Sequence, residues 1–130
     1  MRVSRLAVVA AVSLSAMSPL MAKDLYRCVV VESRHATDDG KLETYPRDVY
    51  AGSVILVDTQ SGLVRLFGNP FEFEVVQAGS TQNSWILMRR ARGPASTSVH
   101  MLVVKVYRPA IPFVMTDSLM TYSGNCRVVQ

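Results

Sequence analysis

The sequence is short of the residues from which enzyme and metal centres are assembled. Its 130 residues include two cysteines, two histidines and one tryptophan. No Cys-x-x-Cys pair occurs, and two isolated cysteines supply half of a zinc site at most. No Gly-x-Ser-x-Gly elbow occurs either, so nucleophilic catalysis would have to recruit His35 or His100 as its base through the fold alone. Helical periodicity is absent beyond residue 22, and no stretch there approaches the ~20 apolar residues of a spanning helix. The chain therefore carries no catalytic, metal or cofactor signature.

What is present begins with a leader. Arg2 and Arg5 precede an apolar run from Leu6 to Met17, and Ser18-Pro19-Leu20-Met21-Ala22 closes it. A charged segment, an apolar segment and a breaker before a small residue make a removable signal peptide over residues 1–22, with cleavage after Ala22. Cys28 follows Leu25-Tyr26-Arg27, which lacks the small-residue acceptor site of a lipoprotein. The expectation is one exported domain over residues 23–130, periplasmic or secreted, with no membrane span after cleavage. Without the two leader arginines, 12 basic and 10 acidic residues leave a net charge of +2. That is too little to indicate a nucleic-acid partner.

Cys28 and Cys126 stand near the two ends of the mature chain. In an oxidising compartment such a sparse, even count reads as one structural bridge. The bridge requires Cα atoms within about 7 Å, so the first and last strands must meet.

Between the cysteines, short apolar or alternating runs are separated by turn chemistry. Leu25–Arg34 contains three consecutive valines, Val29 to Val31, that suit a strand buried on both faces. Asp39-Gly40 signals a hairpin returning through Leu42–Tyr45, and a loop over Arg47–Gly52 follows. Ser53–Asp58 and Leu63–Phe67 flank the turn Thr59-Gln60-Ser61-Gly62. In Phe71–Val75 the alternation places Phe71, Phe73 and Val75 inward and Glu72 and Glu74 in water. Trp85–Ala91, an eleven-residue run Thr97–Tyr107, Phe113–Asp117 and Leu119–Val129 complete the series. About eight strands at roughly ten-residue spacing predict an all-β antiparallel meander closed as a small barrel, with a two-sheet sandwich as the alternative.

Few residues stand out as site candidates. Arg89, Arg90 and Arg92, near Trp85, form the one local cluster suited to an anionic contact. Adjacent arginines on a strand point to opposite faces, so Arg89 and Arg90 share one surface only if the strand has ended. His35 is expected on the surface and His100 at a half-exposed strand position. Asp38, Asp39 and Glu43 lack the ligand spacing of a calcium loop. Met88, Met101, Met115 and Met120 fall among apolar strand residues, as core methionines do.

The layout of leader, short β domain and terminal cysteines resembles, in architecture alone, small exported barrels such as lysozyme inhibitors and lipocalin-like proteins. Ser61-Gly62 and Tyr122-Ser123-Gly124 are turn chemistry and do not reproduce an inhibitor loop, so no residue role carries over. The functional expectation is a non-catalytic binding module that presents the loops Tyr45–Gly52 and Arg89–Ser96 to a protein or envelope partner. The alternative is a lipocalin-like carrier of a small apolar ligand inside the barrel.

Overall fold

The computed structural model describes residues 25–44, 49–92, 97–117 and 120–129. The expected signal peptide, the first half of the 45–52 loop and residues 93–96 of the second loop lie outside them. The described residues are strand and turn throughout: β1 (Leu25–Ala36), β2 (Leu42–Thr44), β3 (Val54–Asp58), β4 (Leu63–Leu66), β5 (Asn69–Glu72), β6 (Glu74–Gln77), β7 (Trp85–Arg92), β8 (Thr97–Val104), β9 (Pro112–Thr116) and β10 (Met120–Val129).

All ten strands belong to one antiparallel sheet that nearly closes into a barrel. Its order is β5-β4-β3-β1-β10-β9-β8-β7-β6, with β2 beside β1. Two pairs of strands act as single staves. β2 and β3 both pair with β1, at its C-terminal and N-terminal halves respectively. β5 and β6 are separated by Phe73 alone, and pair with β4 and β7 respectively. The barrel thus has the meander order expected of it, and the sandwich does not form.

The seam is the pairing of β1 with β10, which runs from Leu25↔Val129 to His35↔Met120. Cys28 lies directly opposite Cys126, with Cα atoms 3.9 Å apart, and the two form the disulfide. Gly124 sits in the same seam, where an added Cβ would overlap the Val29 carbonyl oxygen. Glycine is what allows the two strands to approach this closely.

At the opposite side of the barrel the wall is drawn together at Phe73. Its N–H donates to the Gly62 carbonyl at 2.8 Å, and Gly62 donates to the Asp58 carbonyl at 2.9 Å. Asp58 Oδ1 also accepts from the N–H groups of Gln60 and Ser61, which fixes the turn expected there. Gly62 has φ +77°, and an added Cβ would overlap the Phe73 carbonyl oxygen. Both the backbone conformation and the close approach demand glycine.

Inward residues fill the barrel. Phe113, Ile55, Leu87, Leu102, Met115 and Val30 are among the fully buried side chains, and they form one continuous core. Phe71, Phe73 and Val75 face this core and Glu72 and Glu74 face solvent, as the alternation requires.

Two strand expectations need correction. Val31 is 63% exposed, because the register with β10 shifts between Val30 and Glu32 and leaves Val31 in a bulge. β8 ends at Val104, and the run expected to continue to Tyr107 turns instead. Val104 pairs with Trp85, the first residue of β7, so β7 offers nothing further to pair with, and on the β9 side the contact stops at the Lys105 N–H donating to the Pro112 carbonyl. The longest strand is β1, with 12 residues.

Gly62→Ala should lower stability by about 2–4 kcal/mol in urea unfolding, since it adds backbone strain to a steric overlap. Gly40→Ala, at a positive φ in open space, should cost about 1 kcal/mol. Replacing Cys28 and Cys126 together by serine releases a constraint spanning 98 residues of sequence. The loop-entropy relation puts its loss at about 4.7 kcal/mol, readable as a lower urea midpoint.

Candidate functional site

The barrel wall opens beside β7. β6 pairs with β7 only as far as Glu74↔Met88, whereas β7 continues to Arg92 and stays paired with β8 to Thr97. β5, which precedes β6 in the same run, pairs with β4 instead. From Arg89 onward, therefore, this edge of β7 has no strand partner among the described residues, and a slit separates it from β5.

This geometry resolves how two adjacent arginines border one surface. The strand does not end at Arg90; its pairing on one side does. Arg89 lies on the inner face and Arg90 on the outer face, and both border the unpaired edge. With Glu74, Met88 and Val99 they line an open groove of about 300 Å³. Arg90 is exposed, while Arg89 is half-buried with its guanidinium carbon 4.5 Å from the centroid of the Phe71 ring. Stacking on the ring face holds the guanidinium in place and leaves its N–H edge available.

Trp85 lies elsewhere. It is 7% exposed, in the core, against Gly79, where any added Cβ would overlap the indole. Arg89 is on the same face of β7 but four residues away, about 13 Å along a strand. Trp85 thus does not share the surface of Arg90. The backbone of Arg92 ends β7, and its side chain lies outside the described residues.

His100 is opposite Arg89 across the β7–β8 ladder and alternates with the buried Leu102 and Val104. It faces the interior, with its ring centroid 6.5 Å from that of Phe73, and its Nδ1 is buried without a hydrogen-bond partner. His35, expected on the surface, is half-buried with a buried Nδ1. Strand directions put His35, at the end of β1, on the same rim as His100, near the start of β8. Tyr50, Phe67 and Tyr122 pack at that rim with centroids 5.3 to 5.4 Å apart.

The outer face beside the groove is apolar. Met88 pairs with Met101, and Ile86 with Val103 and through it Val114; Val99, Met101 and Val114 are exposed. Met88 and Met101, expected in the core, are part of this strip, whereas Met115 is buried.

Elsewhere the titratable groups are occupied or dispersed. Thr37 donates to the Asp39 carboxylate, and that hydrogen bond holds the Asp39 carboxyl below its ordinary value. Lys41 pairs with the same carboxylate at 3.6 Å. Among the described residues no three His, Cys, Asp or Glu side chains converge as metal ligands. No helix among them is long and apolar enough to cross a membrane. The chain matches no protein-family model, no curated protein and no solved structure.

Trp85→Ala should destabilise the barrel by about 3–5 kcal/mol, as truncation of a buried tryptophan does. Chemical denaturation checks this; a cost under about 1 kcal/mol would place the indole outside the core.

Proposed function

We propose that the protein is an exported, non-catalytic binding module of the periplasm or the extracellular space. It captures a protein or envelope partner with the groove beside β7 and the apolar strip on β7, β8 and β9. The observation that carries this reading is the juxtaposition of Arg89, Arg90 and Glu74 with the exposed Val99, Met101 and Val114. Apolar side chains supply desolvation energy, and the charged rim supplies orientation and selectivity.

Three further features support it. The disulfide fits an oxidising, non-cytoplasmic compartment. The barrel interior is packed with side chains such as Phe113, Leu87 and Met115, which favours recognition on the outside over carriage of an apolar ligand within. The groove is open, a shape that suits contact with a macromolecular surface.

The test uses the mature, disulfide-bonded protein immobilised and exposed to an extract of its own compartment. Arg90→Glu combined with Val99→Asp should reduce recovery of the captured partner at least tenfold while leaving the unfolding midpoint within about 0.5 kcal/mol of the parent, as surface changes do. Equal recovery by parent and variant overturns the assignment of this surface.

A further inference from the structure

The inner side of the slit holds two polar groups with no hydrogen-bond or ion-pair partner among the described residues, the Arg89 guanidinium and His100 Nδ1. Arg89 and His100 are directly opposed on β7 and β8, and opposed side chains on one face have Cβ atoms about 4.5–5.5 Å apart. Among the described residues no carboxylate forms an ion pair with Arg89. Glu72 and Glu74 are exposed on the outer face, where Glu74 borders the groove with Arg89 without an ion pair to it. His100 Nδ1 is buried with no partner. A half-buried guanidinium and a buried ring nitrogen side by side are costly unless something accepts from both.

The chemistry of the missing acceptor follows from the donors. A guanidinium offers two parallel N–H groups, and an imidazole carrying its proton on Nδ1 adds a third donor from the facing strand. Two or more oxygens on one anionic centre satisfy all of these, which a single hydroxyl or carbonyl does not. Phe71 already covers one face of the guanidinium, leaving approach to its edge. Beyond Met88 no strand of the described residues pairs with this edge of β7, and Arg89 reaches the open groove there.

We propose that Arg89 and His100 form a subsite for one oxyanion group, a carboxylate or a phosphate, admitted through the slit between β5 and β7. This deepens the binding-module reading by naming the group that a partner inserts while its apolar side chains lie on the outer strip. The anion accepts from the Arg89 guanidinium and from His100 Nδ1–H on the inner side, while Glu74 borders the same groove as Arg89 from the outer face.

The experiment needs no partner. The imidazole signals of the purified mature protein are followed by NMR during titration with inorganic phosphate in one arm, and with a blocked glutamate-containing peptide in another. There are two histidines, so His100→Gln identifies which signal belongs to His100. The expected result is a saturable shift of the His100 signal, at least tenfold weaker in Arg89→Gln, and changed less than twofold in Arg127→Gln, an exposed arginine on β10. Tighter binding of phosphate identifies a phosphate ligand, and tighter binding of the peptide identifies a carboxylate. Absence of a saturable shift in both arms, or an equal shift in Arg89→Gln of unchanged unfolding midpoint, overturns the subsite. Failure here with the capture phenotype of Arg90→Glu and Val99→Asp intact removes the subsite and leaves the binding face. The converse result removes the binding face and leaves the subsite.

Discussion

Closure through the β1–β10 seam is the constraint on which everything else in this barrel depends. An open antiparallel sheet of this length would expose two long edges, each an invitation to pair with another chain. Joining the first strand to the last removes those edges along most of their length, and the Cys28–Cys126 bridge sits inside the joint rather than beside it. The bridge acts on the unfolded chain by keeping its ends together, so the pairing of β1 with β10 starts from a short effective loop. Gly124 then permits the approach that the bridge demands.

The slit follows from the same geometry. A barrel needs each stave to serve two neighbours, and the run Asn69–Gln77 does so in halves, giving β4 its first part and β7 its second. The crossover at Phe73 is anchored by the Gly62 carbonyl. What it leaves uncovered is the far half of β7. Polar side chains gather there because backbone and guanidinium groups at an unpaired edge can still be solvated, while the packed centre has room only for hydrocarbon.

Much of the fold was legible because period-two alternation and turn chemistry agree along the chain. Phe71, Phe73 and Val75 alternate with glutamates, so only one face can be buried, and the turn Thr59–Gly62 could be placed from its glycine. The cysteine positions implied that the first and last strands meet. His100 could not be assigned in the same way. On β8 both faces are apolar, Val99, Met101 and Val103 on one and Leu102 and Val104 on the other, so alternation does not say which side is the core. The same ambiguity along Trp85–Met88 hid the fact that Trp85 and Arg89 lie on the inner face. The bulge at Val31, the end of β8 and the slit were illegible for a different reason: each is set by where a neighbouring strand stops, which is a property of the assembled sheet.

Leu25 and Val129 are paired at the rim opposite the slit, so the described domain begins and ends at one place. Topologically the polypeptide is a ring with a single cut. A short linker across that cut, with new ends opened in the exposed turn between β1 and β2, would preserve every ladder of the wall. A circular permutant of that kind would keep the groove and turn the disulfide from a clasp between chain ends into an ordinary cross-link between neighbours.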